Sequence, residues 1–232
     1  HLRAAGARVT FSTILGNDSH KDFVISGLKE TGVEIFPIID PNRPTTKKNA
    51  IISGGYRLLK IDTLDNRPIS DDILEKLIEM IQQTTANAVV FSDFRHGIFN
   101  RMNVQTLTQA IPQDAFQVAD SQVASRWGNI TEFKGFDLIT PNEREARFAL
   151  GDQDSTLGRL ASMLNEAADY QNLILKLGDR GVFCVNKNAG VKNSYFSIDS
   201  FASNIVDAMG AGDALLAYAT LTMLATGSLI TA

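Results

Sequence analysis

The sequence predicts an α/β protein, a three-layer sandwich with a mostly parallel central sheet and helices on both faces. Short apolar segments of strand length alternate with longer stretches in which apolar residues recur at helical spacing. This alternation is typical of a sheet whose strands are connected through helices. The chain is 44% hydrophobic and 21% charged, which is ordinary globular composition with enough apolar material for a core.

The individual elements follow from caps and apolar periodicity. The first helix begins after its N-cap Asp18, reaches Glu30 and ends before Gly32. A second helix follows Ser70, and its apolar residues share one face: Ile73, Leu74, Leu77, Ile78 and Ile81. Strands of the α/β body are predicted at residues 9–14, 88–92, 116–119, 136–140, 173–177 and 182–185.

Residues 34–62 do not follow this alternation of strands and helices. Three strands are predicted there, at 34–39, 48–53 and 57–62, with no helix between them. We therefore expect a small β lid inserted into one domain that spans 1–232. The lid is more apolar than a free flap should be, at Ile35, Ile38, Ile51 and Ile52. This excess predicts that the lid pairs with a second subunit in a homodimer or is covered by another segment of the protein.

Charge and cysteine content exclude several classes of protein. The chain has 22 Lys+Arg and 26 Asp+Glu, a net charge of −4, which disfavours a generic nucleic-acid binder. The single cysteine, Cys184, excludes an internal disulfide and a multi-cysteine zinc site. We read it as a small buried hydrophobe in a protein of the reducing cytoplasm.

The two ends of the chain raise separate questions. Residues 214–232 carry no charged side chain, which is long enough to consider a membrane span. Threonines, Gly227 and Ser228 dilute this stretch and Asp213 precedes it, so a buried helix and no membrane partner are predicted. The start has neither Met nor an apolar core of signal-peptide length. We expect the domain to be incomplete at both ends.

The most informative segment is a Gly-Ala-Gly turn between two acidic residues. Gly210, Ala211 and Gly212 precede Asp213, which opens the apolar stretch. Small residues let backbone N–H groups converge on an anion at a helix N-terminus. Asp213 is placed to accept a proton from a hydroxyl that attacks a phosphorus atom there. The alternative is a glycine-rich turn in which Asp213 only caps the helix.

This segment, residues 207–213, resembles the C-terminal signature of the PfkB/ribokinase family of carbohydrate kinases. Residues 142–145 resemble the Asn-x-x-Glu element of that family, and residues 178–181 resemble its Gly-x-x-Gly turn beside the nucleotide. Residues 2–18 resemble the stretch that follows the glycine-rich sugar motif. The resemblance implies a ribokinase-like fold and transfer of the γ-phosphoryl group of ATP to a hydroxyl of a sugar or sugar phosphate.

The resemblance also implies roles for single residues. Asp213 is the expected general base, and Gly210, Ala211 and Gly212 form the expected anion hole. Asn142 and Glu145 are expected to hold Mg²⁺ through water. The expected ATP-binding residues are Asn142, Glu145, Lys176, Gly178, Gly181 and Asp207. Met209 departs from the family pattern, in which a threonine is common.

Within the family, residues 43–48, 56–62 and 91–97 look most like the heptose-phosphate kinases. A basic cluster near the lid suits a substrate that already carries a phosphate. The expected substrate-binding residues are Arg43, Thr45, Lys47 and Asp93, although Arg95-His96 departs from the Gly-Lys usual there. A solvated lid strand remains the alternative for the cluster. A nucleoside or vitamin-like alcohol kinase and a catalytically silent sugar-binding member remain alternatives for the whole chain.

Overall fold

The computed structural model describes residues 1–54, 56–122, 130–187, 194–202 and 208–232. They form two compact units. The smaller unit comprises Leu2–Leu77 and His96–Ile98. The larger unit comprises His1, Ile78–Arg95 and Phe99–Ala232. The single domain over 1–232 with a lid inserted at 34–62 stays a prediction.

The smaller unit begins with a β-α-β element. Strand β1 (Thr10–Leu15), helix α1 (Ser19–Glu30) and strand β2 (Glu34–Ile39) follow one another, and β1 and β2 pair in parallel. Helix α1 starts where predicted, because the Asp18 carboxylate accepts hydrogen bonds from the backbone N–H groups of His20 and Lys21. Strand β2 thus pairs with β1, whereas the sequence analysis predicted that this strand belongs to the lid.

The lid-like part of the smaller unit is an antiparallel hairpin of β3 (Lys47–Ser53) and β4 (Tyr56–Thr63). The register shifts between Ile51 and Ile52. Every residue of β3 is exposed. Large apolar side chains of the hairpin lie open to solvent, namely Ile51, Ile52, Tyr56, Leu58, Leu59 and Ile61. Helix α2 (Asp71–Gln82) follows, and Leu77 is the last of its residues in the smaller unit.

The larger unit is built on a six-stranded sheet in the order β10-β9-β8-β7-β6-β5. Strands β5 to β8 pair in parallel, whereas β9 and β10 are antiparallel additions. The strands are β5 (Ala88–Asp93), β6 (Phe116–Ser121), β7 (Leu138–Ile139), β8 (Asn172–Lys176), β9 (Val182–Asn186) and β10 (Ser194–Ile198). The helices are α3 (Val104–Gln109), α4 (Glu143–Leu150), α5 (Leu157–Ala168) and α6 (Ala211–Thr226). The predicted mostly parallel sheet is confirmed.

Both faces of this sheet are covered. On one face, side chains of β6 to β9 pack with Leu216, Ala219 and Met223 of α6. Because strand residues alternate between faces, Ala119 and Ile139 point to the other side, and both are fully buried. Helix α4 contacts β8 and α5. The predicted α/β/α layering is therefore confirmed.

Two predictions about apolar segments can be compared with this packing. Cys184 lies in the core with α6, and burial raises the pKa of its thiol to about 12, as expected of a small hydrophobe. The uncharged segment 214–232 is mostly helix α6, which buries Leu216, Ala219 and Met223. Within the described ranges, no helix combines the length and apolarity needed to cross a membrane.

Gly97 provides a test of backbone packing in the smaller unit. Its φ is +87°, and a Cβ there would lie 2.0 Å from the carbonyl oxygen of Arg67. Gly151 has a similar φ of +63°, but its Cβ would meet no described atom within 4 Å. Alanine at either site costs about 1–2 kcal/mol for the left-handed backbone. We expect Gly97→Ala to cost about 1–3 kcal/mol more, because the overlap forces the backbone to shift. Urea unfolding of both variants measures this difference, and equal midpoints would contradict it.

Candidate functional site

Three polar residues of the larger unit meet at one edge of the sheet. Asp120 lies in β6, Thr140 follows β7 and Lys176 ends β8. Because these strands are parallel, their carboxyl ends lie at the same edge. The Asp120 Oδ1 atom accepts hydrogen bonds from Thr140 Oγ1 at 3.0 Å and from Lys176 Nζ at 2.8 Å. Our sequence reasoning missed Asp120, although a carboxylate at the end of a predicted parallel strand was a usable signal.

The Asn-x-x-Glu element forms the N-terminus of α4. Asn142 Oδ1 accepts a hydrogen bond from the Glu145 N–H at 2.8 Å, and Glu145 Oε2 accepts one from the Asn142 N–H at 2.7 Å. The two side chains therefore form a capping box. The Lys176 N–H donates to the carbonyl of Pro141, which joins this helix start to β8. Burial raises the pKa of Glu145, while the bond from Asn142 and the charge of Lys176 act in the opposite direction.

The Gly-Ala-Gly turn forms the N-terminus of α6. Gly210 is the N-cap and has a left-handed backbone with φ +78°. Asp213 lies in the first turn, where the helix dipole favours a negative charge. A Cβ on Gly212 would lie 3.4 Å from Lys176 Nζ, so the turn and the sheet edge are adjacent. Asp207, the other acidic residue of the motif, lies outside the described residues.

The Gly-x-x-Gly segment makes a tight turn between β8 and β9. Gly178 and Gly181 have φ of +68° and +86°, and the Gly181 N–H donates to the Gly178 carbonyl. A Cβ on Gly181 would lie 2.0 Å from the carbonyl oxygen of Ile198, so strand packing alone requires glycine there. Gly178 instead borders an open groove of about 790 Å³, whose lining also includes Asn142 and Lys176. Three of the predicted nucleotide-binding residues thus share one surface.

Asp93 lies at the end of β5, in a buried polar cluster of the larger unit. Its carboxylate accepts hydrogen bonds from the backbone N–H of Arg95 at 2.7 Å, from Arg95 Nη1 at 2.8 Å and from Ser121 Oγ at 2.9 Å. Arg95 has φ +63°, a left-handed backbone that favours glycine, and the resemblance predicted a glycine at this position. Burial raises the pKa of the nearby Glu132 carboxyl. These contacts hold Asp93 within the protein, and its binding of substrate stays a prediction.

The other predicted substrate residues lie in the smaller unit. Arg43 Nε donates to Asp40 Oδ2 at 2.8 Å, and its terminal nitrogens donate to the carbonyls of His96, Arg67 and Pro68. The Thr45 N–H donates to Asp18 Oδ2 at 2.8 Å, and its hydroxyl accepts from the Gly16 N–H. Lys47 begins β3 and is exposed. Arg43 and Thr45 thus tie together the loop that precedes the hairpin.

Comparison with solved structures identifies the fold class of this protein. The structure is similar to the tetrameric inhibited form of phosphofructokinase-2 from Escherichia coli, with a TM-score of 0.78 and 14% identity over 98% of this chain and 74% of that chain. It is also similar to ribokinase from Giardia lamblia, with a TM-score of 0.72 and 17% identity over 97% of this chain and 70% of that chain. These likenesses show a ribokinase-like fold.

The family follows from the sequence. The chain matches the pfkB family of carbohydrate kinases over residues 2–232, and it belongs to that family. It is 26% identical over 230 residues to the bifunctional protein HldE of Geobacter metallireducens, covering 96% of this chain and 45% of that protein. It is 27% identical over 222 residues to the HldE of Nitratiruptor, covering 94% and 45%. The chain thus spans about half the length of these curated relatives.

Arg43 and Lys47 allow a structural role to be separated from substrate binding. Arg43→Met would leave the buried Asp40 carboxylate without its ion-pair partner, with the Asn42 N–H still donating to it, so we expect a loss of about 3 kcal/mol of unfolding free energy. Lys47→Met removes an exposed charge and should change stability by less than about 0.5 kcal/mol. Chemical denaturation of the two variants measures the difference. An Arg43→Met variant as stable as wild type, with only a raised KM for a phosphorylated sugar, would show that Arg43 serves the substrate.

Proposed function

We propose that this chain carries an ATP-dependent phosphotransferase activity that moves the γ-phosphoryl group to a hydroxyl of a sugar or sugar phosphate. The observation that carries the proposal is the approach of Lys176 Nζ to Gly212, one residue before Asp213. A cation, a glycine turn at a helix N-terminus and a carboxylate therefore occupy one small region. Membership of the pfkB carbohydrate kinase family supports the same reaction.

In the proposed mechanism, Asp213 accepts the proton of the attacking hydroxyl. The hydroxyl oxygen bonds to the γ-phosphorus while the bond from that phosphorus to the ADP oxygen breaks. The Ala211 N–H donates to the Ala208 carbonyl. The N–H groups of Gly212 and Asp213 follow in the first turn of α6, where helix geometry offers them no carbonyl within the helix. These groups and the helix dipole stabilise the negative charge on the transferring group. The left-handed backbone of Gly210 turns the chain into this helix.

The groove beside α4 is the proposed nucleotide site. Asn142, Lys176 and Gly178 line it, and the missing side chain of Gly178 permits close approach of a ligand to the backbone. We propose Gly181 and Asp207 as further members of this site on the strength of the family motif.

Asn142 and Glu145 are the proposed holders of Mg²⁺. Amide and carboxylate oxygens are the ligands that this ion prefers, and each group keeps an oxygen lone pair beyond the capping-box bonds. A cation beside Glu145 would also stabilise its buried carboxylate against the cost of burial. Bound Mg²⁺ would neutralise phosphate charge. The described residues contain no group of three or more His, Cys, Asp and Glu side chains that could hold a metal directly, so water ligands are expected.

For the acceptor we propose a phosphorylated sugar, with heptose 7-phosphate as the leading candidate from the sequence resemblance. Lys47 keeps an exposed side chain at the start of the hairpin, where a phosphate could pair with it. In the smaller unit, we propose that Arg43 and Thr45 support substrate binding through the loop that they hold before the hairpin. Asp93 of the larger unit is proposed as a substrate-binding residue from the sequence resemblance alone. A panel of sugars and sugar phosphates, coupled to ADP release, tests this choice. Turnover confined to nucleosides or vitamin-like alcohols would overturn it.

Asp213→Asn tests the general base. The amide keeps the shape of the side chain but cannot accept the proton, so we expect turnover by the full-length protein to fall about 10²–10⁴-fold. Nucleotide affinity, measured by calorimetry, should change little. Asp114→Asn, in an exposed loop of the larger unit, is the matched control and should keep wild-type turnover.

A clear outcome would refute this role. If Asp213→Asn kept more than about a tenth of wild-type turnover, the loss would fall outside the range of general-base catalysis. Asp213 would then serve only as a first-turn acid of α6.

We also propose that the hairpin of β3 and β4 pairs with a second copy of the chain. Ile51 and Leu59 lie opposite each other in the hairpin and are 46% and 51% exposed. Exposed apolar strands of this kind favour association. The double variant Ile51→Lys with Leu59→Glu introduces a cross-strand charge pair that should preserve the hairpin, and it removes the apolar surface. We expect it to sediment as a monomer, whereas Met102→Lys, an exposed apolar control elsewhere, should remain dimeric. A monomeric wild type would refute the proposal.

A further inference from the structure

Lys176 occupies an unusual place for a lysine. Its side chain runs past the first turn of α6, where a Cβ on Gly212 would lie 3.4 Å from Nζ and 4.0 Å from Cδ. The N-terminus of a helix carries the positive end of the helix dipole, so a cation is disfavoured there. An ammonium at this position gains most when an anion lies between it and the helix.

Asp120 keeps the ammonium in that place. Its Oδ1 accepts the Lys176 Nζ bond at 2.8 Å and the Thr140 Oγ1 bond at 3.0 Å. The Lys176 and Asp120 side chains are only 15% and 8% exposed. Removing two charges from water costs free energy that their attraction does not reliably return, so stability alone is a weak reason for this pair. A binding role at the N-terminus of α6 explains both the burial of the Lys176 side chain and its direction.

We propose that Lys176 is a catalytic residue of the phosphoryl transfer and that Asp120 is its positioning residue. The Lys176 ammonium pairs with the non-bridging oxygens of the γ-phosphoryl group, on the side facing Gly212. The ammonium takes no part in the proton transfer: the hydroxyl proton passes to Asp213, and the electron pair of the breaking bond leaves with ADP. This inference rests on the proposed kinase function and extends the predicted role of Lys176, which was only to border the nucleotide.

The absence of a side chain at Gly212 leaves room for the phosphoryl oxygens beside Lys176. Gly212 has no left-handed backbone, so the conformation of the turn does not require glycine there. A methyl group would instead fill the space between Nζ and the helix, which the phosphoryl oxygens need. Gly212→Ala should therefore lower turnover. It should not lower stability, because alanine has a higher helix propensity than glycine.

The decisive variants are Lys176→Met, Lys176→Arg and Asp120→Asn in the full-length protein. A lost stabiliser of transition-state charge costs about 10²–10³-fold in kcat, so we expect Lys176→Met to lower kcat by about 100-fold. The KM for the sugar should stay nearly unchanged, and Lys176→Arg should recover part of the rate because it keeps the charge. Lys187→Met, which removes a partly exposed lysine paired with Asp169, is the control and should keep wild-type turnover.

Two further measurements separate this role from a structural one. Lys176→Met should weaken binding of the analogue AMP-PNP by about 10-fold through loss of a charge-assisted bond, but ADP binding much less. As a single variant, Asp120→Asn should lower kcat. In the Lys176→Met background it should cause little further loss of kcat, because the two residues act as a unit.

The outcomes distinguish this inference from the proposed function. If Asp213→Asn abolishes turnover while Lys176→Met stays within about threefold of wild type, far below the expected loss, only the role of Lys176 is wrong. Equal weakening of AMP-PNP and ADP, or fully additive effects of Asp120→Asn and Lys176→Met, would also overturn it. A wild-type protein without kinase activity would refute the proposed function itself.

Discussion

The parallel pairing of β6, β7 and β8 is the constraint on which the candidate site depends. It places Asp120, Thr140 and Lys176, which are far apart in the chain, at one edge of the sheet. The pairing leaves the Lys176 ammonium beside Gly212 at the start of α6, 3.4 Å from where a Cβ of that residue would lie. A shift of one residue in any of these strands would turn its polar group to the other face. The chemistry of the site therefore depends on strand register as much as on residue identity.

The glycines of the two family motifs are required for three different physical reasons. Gly210 adopts a left-handed backbone at the N-cap of α6. Gly212 leaves room beside the Lys176 ammonium, and Gly181 allows the backbone at Ile198 to approach closely. Substitution at each position should consequently change a different property, namely stability, turnover or strand packing.

Polar residues near the hairpin show how a binding motif and a structural motif can look alike in sequence. Arg43 and Thr45 belong to a basic, hydroxyl-rich segment that suits a phosphorylated substrate. In the structure, Asp40 and three backbone carbonyls surround the Arg43 guanidinium, and Thr45 bonds to Asp18 and Gly16. Guanidinium groups bind carbonyls, carboxylates and phosphates by the same hydrogen bonds, so composition alone does not separate these roles.

The sequence by itself determined the α/β class, the start of α1 at Asp18, the buried state of Cys184 and the Gly-Ala-Gly turn that opens α6. These features are local: caps, periodicity and turn residues act over a few positions in the chain. Only the tertiary structure decided that β2 pairs with β1, and that Asp120 holds Lys176 beside Gly212. Those contacts join residues distant in the chain, and their partners depend on strand order and register, which local patterns do not encode.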